Sequence, residues 1–246
     1  MQIITTAVIK GGTGKTTTAA ALAQAAAAEG YKVLAIDLDP QGNLTHTLKA
    51  DPNNASSYDL LHGDTDVIQS TEQGIDVIAA SPDLATERTA PASAKRLQEA
   101  LEPIKGNYDF IFIDTPPTIG ELTYNALNAS TGLLIPVETD VNSIQGIYQI
   151  TDIAKQMQIH NPDLQILGAV LTRYDNRPKI NRYIKNVIIT DGEDTPLLAT
   201  IRNGIAIREA QALQVSLYEY APKSKPAQDY KKLFEEIKEN GKKGLH

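Results

Sequence analysis

The chain has 246 residues and a formal net charge of −7; 41% of it is hydrophobic and 22% charged, which is enough apolar material for a sizeable core. It contains no cysteine, which excludes a disulfide framework, a cysteine-based zinc site and an iron–sulfur cluster. No run of about 18 apolar residues is present and residues 1–6 carry neither a basic segment nor a cleavable apolar stretch, so neither a membrane span nor a signal peptide is expected.

Short apolar runs at 3–9, 32–37, 75–80, 108–114, 132–137 and 164–172 read as strands. Each is rich in Val, Ile or Leu and apolar on both faces, the pattern of strands covered on both sides. Helical patterns lie between and after them, at 16–29, 92–103, 120–129, 143–159, 178–189 and 226–239. This βαβα order predicts an α/β fold: three layers, with a mainly parallel, doubly wound sheet and helices on both faces. With no internal repeat and no linker, residues 1–246 are expected to form a single domain. Eight alanines fall among residues 19–28, so the first helix is slim enough to lie close against a sheet or another subunit. The segment 50–72 is loop-rich and carries the weakest pattern. Four histidines, His46, His62, His160 and His246, lack metal-ligand spacing and read as bystanders.

Between the first strand and first helix stands Lys10-Gly11-Gly12-Thr13-Gly14-Lys15-Thr16-Thr17. Strand, glycine-rich turn and helix together form the context of a phosphate-binding loop. Glycines let backbone N–H groups face inward on phosphates, and the helix N-terminus adds unpaired N–H groups and partial positive charge. Lys15 is expected to reach the β/γ-phosphates of a nucleoside triphosphate and Thr16 to ligate magnesium, giving ATP and Mg2+ as cofactors. Asp37-Leu38-Asp39-Pro40-Gln41-Gly42-Asn43 follows the second strand, at the strand end where open α/β sheets bind ligands. Phe110-Ile111-Phe112-Ile113-Asp114-Thr115-Pro116-Pro117 delivers a further aspartate from an apolar strand, the Walker B arrangement, with Asp114 on magnesium.

The common phosphate-loop pattern breaks at its first glycine, where Ile9 stands, and Lys10 precedes the double glycine. This resembles the deviant Walker A motif of the ParA/MinD superfamily. The D-x-D-P-Q-G-N and D-T-P-P strings resemble the switch I and switch II segments of ParA-type ATPases. The late strings Leu171-Thr172-Arg173, Thr200-Ile201-Arg202-Asn203, Glu209-Ala210 and Tyr218-Glu219-Tyr220-Ala221-Pro222-Lys223-Ser224 extend the likeness over nearly the whole chain. The resemblance implies a P-loop NTPase fold and a slow, partner-stimulated ATPase. It also implies that Lys10 acts across a homodimer on the partner's nucleotide, with catalytic roles for Lys10, Lys15 and Asp39. Asp37 is expected near the magnesium, and Arg202 and Asn203 beside the adenine.

Residues 173–232 hold eleven Lys/Arg against seven Asp/Glu, which leaves −11 for the remainder of the chain. Such asymmetry is compatible with a basic face on an acidic protein. Family resemblance implies non-specific DNA binding there, with Arg177, Lys179, Arg182 and Arg208 as candidate contacts. A family position that is usually Arg or Lys is Ala206 here, and Arg208 lies two residues on. No helix-turn-helix module is expected before the first strand, as in the short, Soj-like form. The implied function is plasmid or chromosome partition by a cytoplasmic, nucleoid-associated ATPase working with a ParB-type centromere-binding protein. The alternative is a MinD-like membrane-cycling ATPase, since Tyr230, Leu233, Phe234 and Ile237 form an apolar stripe at helical spacing. Packing of that stripe on the domain is the expected outcome, without stable membrane association. A small-molecule or protein-modifying enzyme is a third reading. Its nitrogenase-reductase branch lacks the cysteines, and its tyrosine-kinase branch lacks a C-terminal tyrosine cluster.

Overall fold

The computed structural model describes residues 1–87, 94–190 and 194–243. Among these, eight strands form one sheet: β1 (Gln2–Thr6), β2 (Val33–Asp37), β3 (Gln69–Ser70), β4 (Asp76–Ile78), β5 (Phe110–Asp114), β6 (Gly132–Val137), β7 (Gln165–Tyr174) and β8 (Leu197–Arg202). The order is β3-β4-β2-β5-β1-β6-β7-β8, parallel throughout except for β3, which pairs antiparallel with β4 at one edge. β1 lies between β5 and β6, pairing Thr6 with Asp114 on one side and Leu134 on the other. The chain turns in opposite directions from this point, which opens a crevice at the carboxyl ends of the central strands.

Successive strand residues supply opposite faces. Along β5, Phe110 and Phe112 join one core with Ile4, Ala35 and Val170, whereas Ile111 and Ile113 join another with Ile3, Leu34 and Ile36. The first core is covered by α1 (Lys15–Ala28), α2 (Asn43–Thr47), α8 (Ala206–Leu213), α9 (Leu217–Tyr220) and α10 (Lys225–Lys243). The opposite face is covered by α3 (Ser57–Leu61), α4 (Arg96–Leu101), α5 (Glu121–Ala129), α6 (Val141–Met157) and α7 (Lys179–Thr190). The expected three-layer, mainly parallel architecture is therefore the observed one.

Two boundaries differ informatively. β1 ends at Thr6 rather than at residue 9; Ala7 and Val8, beyond its end, are apolar because they are buried in a core. The helix expected over 92–103 is α4, shorter at both ends; residues 92 and 93 lie outside the described residues. The loop-rich segment 50–72 contains α3 and β3, both too short to produce a readable period.

The alanine-rich α1 is enclosed along most of its length. Ala19, Leu22, Ala23 and Ala26 have no accessible surface, and the helix packs on β5 and β2 beneath and on α10 above. Small side chains permit this double contact. Ala23→Leu is expected to overfill the layer at a cost of about 1–3 kcal/mol, seen as a fall of several degrees in a thermal melt; an unchanged melt would mean that the helix has spare room. The stripe of α10 is spent in the same way. Tyr230, Leu233, Phe234 and Ile237 are all 1% exposed or less, and Phe234 meets the rings of Tyr31 and Phe110 edge-on. Among the described residues, no helix is long and apolar enough to cross a membrane.

Candidate nucleotide site

The loop leaves β1 and enters α1 through Gly14, whose backbone is left-handed (φ 92°), as is that of Gly12 (φ 77°). A side chain at either position is strained, and at Gly14 a Cβ would also stand 3.3 Å from Thr172 Cγ2. Thr172, at the carboxyl end of β7, fixes the loop from that side by donating its hydroxyl to the Thr13 carbonyl at 2.7 Å. The first turn of α1 lines the crevice, where its N–H groups lack intrahelical partners.

Lys15 is only 6% exposed and donates to the Lys10 carbonyl at 3.3 Å. Burial lowers its pKa, against the opposing pull of the Asp114 and Asp39 carboxylates. Asp114 is fully buried at the end of β5 and accepts the Thr16 hydroxyl at 2.5 Å. Its burial and the neighbouring Asp37 carboxylate push its pKa up to about 8. The side chains of Thr16 and Asp114 form an oxygen-only donor pair, which suits a hard cation such as magnesium. Among the described residues no three His, Cys, Asp or Glu side chains are gathered to hold a metal by themselves.

The two aspartates of the second motif take different positions. Asp37 is buried, and its oxygens accept the Thr45 amide and hydroxyl at 2.8 and 2.9 Å and the Asp39 amide at 3.1 Å. Burial pushes its pKa up to about 6 despite these bonds. Asp37, expected near magnesium, stands beside Asp114 in the strand register and also fastens α2 to the end of β2. Asp39 lines the crevice, with one oxygen accepting the Gln41 amide at 3.0 Å, a bond that shapes the turn into α2.

The crevice holds two adjoining cavities. One, of about 500 Å³, is lined by Gly11, Gly12, Gly14, Lys15, Thr16 and Thr17 of the loop, and by Asp39, Pro117 and Arg173 among others. The second, of about 420 Å³, shares Gly14, Thr17, Arg173 and Gln211 with the first and extends to Ile201, Arg202, Asn203 and Arg208. The first has the polar lining of a phosphate site. Arg202 and Asn203, expected beside the adenine, both line the second; the Arg202 guanidinium is forked onto Asp229 at 2.8 and 2.9 Å, and its backbone N–H donates to the same carboxylate at 2.9 Å. Arg208, expected to contact DNA, is exposed on α8 and also lines this second cavity.

The other basic candidates lie at and beyond the end of β7. The Arg177 side chain is 86% exposed, and it forks onto Asp175, whose carboxyl it holds down to about 2. Arg182 donates to the backbone carbonyls of Asn176 and Arg177, so it braces this turn. Lys179 opens α7 and is exposed, and Lys185 rests over the Tyr174 ring. Lys10 does not line either cavity; its ammonium pairs with Asp140, the residue that caps α6.

A family model described as an AAA domain matches residues 1–166. The chain is 37% identical over 244 residues to the sporulation initiation inhibitor protein Soj of Bacillus subtilis, with 94% of this chain and 96% of that protein covered. It is 33% identical over 250 residues to the chromosome partitioning protein ParA of Caulobacter vibrioides, with 96% and 94% covered. The chain belongs to the ParA/MinD superfamily of P-loop ATPases. Among solved structures, cobyrinic acid a,c-diamide synthase from Mycobacterium smegmatis with bound ATP analogue and magnesium superposes with a TM-score of 0.84 at 31% identity, covering 99% of this chain and 97% of that one.

In this ParA-family chain, two cavity residues escaped the sequence reading. His46, taken as a bystander, lines the phosphate-side cavity from α2, together with Asn43 and Thr47. Gln211 of α8 lines both cavities and donates to the Thr17 hydroxyl at 3.3 Å. Neither carries a local signal, since each reaches the site only through the packing of a short helix against α1.

Proposed function

We propose that this ATPase partitions DNA: an ATP-bound homodimer holds DNA without sequence preference, and hydrolysis releases it. The observation that carries the nucleotide half is the paired cavity beside the glycine-rich loop, with Lys15, Thr16 and Asp39 lining its phosphate side and Asp114 bonded to Thr16 behind them. Likeness to the Caulobacter partitioning protein supports the DNA half.

In this reading, ATP lies with its base in the second cavity and its phosphates along Gly11–Thr17. Thr16 and Asp114 would hold magnesium, which would supply positive charge against the β- and γ-phosphates. Lys15 meets the same oxygens from the buried side. Asp39 orients a water whose oxygen bonds to the γ-phosphorus as the bond to the β–γ bridging oxygen breaks, giving ADP and phosphate. One Asp39 oxygen is engaged by the turn, which leaves the other to accept the water's proton. Lys10 completes the neighbouring subunit's site as a trans-acting cation, the task of an arginine finger elsewhere. A ParB-type partner stimulates this slow step, and the protein works in the cytoplasm on the nucleoid. The chain acts as one domain throughout.

Arg177, Lys179 and Arg182 supply phosphate contacts, so binding falls with salt and is indifferent to sequence. They follow β7, whose Arg173 lines both cavities, which supports a link between DNA contact and nucleotide state. The test is DNA co-sedimentation with ATP, ADP or no nucleotide, for wild type and Lys10→Ala. ATP-dependent, salt-sensitive binding that Lys10→Ala abolishes is expected; binding indifferent to nucleotide would count against a switch. Including liposomes as a second arm tests the membrane-cycling alternative, against which the burial of the α10 stripe already weighs.

A further inference from the structure

Lys10 makes its side-chain contact with Asp140, on a different element and away from both cavities. The two side chains are 37% and 35% exposed, so the pair is reachable by solvent and can open without disturbing the core. The partner is itself fixed. One Asp140 oxygen accepts the Asn142 and Ser143 amides at 2.8 and 3.1 Å as the N-cap of α6, and the other receives the Lys10 ammonium. The Lys10 backbone is also held, by Lys15 and by the Thr13 hydroxyl. The side chain between these two fixed points is the movable part.

We infer that Asp140 is a positioning residue that latches Lys10 within its own subunit, so that Lys10 reaches a neighbour's nucleotide only after this ion pair opens. The inference rests on the trans role proposed above for Lys10. The latch makes assembly conditional: the β/γ-phosphates of the partner's ATP must compete with a carboxylate for one ammonium, and a triphosphate with more negative charge competes better than a diphosphate. Nucleotide discrimination by the dimer thus gains a contribution from a residue that never touches the nucleotide. The cap and the latch use different oxygens, so they can be separated chemically. Asn is as good an N-cap as Asp but cannot hold an ammonium by charge.

The experiment measures dimer dissociation constants by analytical ultracentrifugation with Mg2+ and a non-hydrolysable ATP analogue. The proteins are wild type, Asp140→Asn, Lys10→Ala and the double variant, with thermal melts of each. Asp140→Asn is expected to melt as wild type does and to dimerise about three- to thirtyfold more tightly, since two half-exposed pairs no longer have to open per dimer. Its ADP form should also gain measurable dimer, and the gain should vanish in the Lys10→Ala background. Unchanged or weaker dimerisation of Asp140→Asn at an unchanged melting temperature overturns the latch. A wild type that stays monomeric with the analogue overturns the reading beneath it, a separate result.

Discussion

Lys15→Ala is expected to weaken ATP binding by a factor on the order of 10² to 10³, the scale for removing one partner from a buried charge cluster. Lys15 is nearly buried, and the cluster around it includes Asp114 and Asp39. Without the ammonium, the phosphates would enter a cavity facing these carboxylates with one less positive charge. The fold should survive, because burial and Asp37 already raise the Asp114 pKa to about 8, so this carboxyl is largely protonated near neutral pH and does not depend on the ammonium. Loss of Lys15 therefore separates affinity from stability. Titration with a fluorescent ATP analogue, read beside a thermal melt, checks both; near-normal affinity would remove Lys15 from the phosphate site. The sign of the pH effect follows as well. A carboxyl whose folded pKa is raised favours the folded state while protonated, so the nucleotide-free protein should lose stability as pH rises from the ordinary carboxylate range toward about 8.

Asp39→Asn is expected to lower kcat by about 10² to 10⁴, the range for losing a positioned general base, with ATP affinity changed only a few-fold. The asparagine keeps an oxygen for the Gln41 amide, so the turn into α2 is preserved while the proton acceptor is lost. The variant should accumulate in the ATP-bound state and remain on DNA. Single-turnover hydrolysis and DNA retention measured on the same preparation provide the check. Wild-type turnover by Asp39→Asn would move the catalytic role elsewhere, and His46 on the same cavity would be the next residue to examine.

The three-layer fold was legible because its central strands are buried on both faces and so appear as unbroken apolar runs. The same signal overran at β1, where Ala7 and Val8 are apolar through burial rather than extension. β8 stands at a sheet edge with residues only partly buried, which leaves no such run, and its bounds were not readable. The phosphate loop and Asp114 were legible because their chemistry is local to a strand end. Asp37 and Asp39, two residues apart, differ through a contact no spacing reveals: Thr45 engages one and leaves the other to the crevice.

The enclosure of α1 has a mechanical consequence. A helix gripped by the sheet and α10 cannot tilt or unwind without opening the largest core, so it behaves as a stator. Nucleotide charge arrives at its N-terminus and finds a post that does not yield. The travel that accompanies turnover then falls to short pieces touching that end. α2 is five residues long and pinned through Thr45 to Asp37, and α8 is tied by Gln214 to the His46 carbonyl at 2.8 Å. Both helices line the phosphate-side cavity, and two glutamines join them: Gln214 directly, and Gln73, whose amide donates to the Thr47 and Gln214 carbonyls.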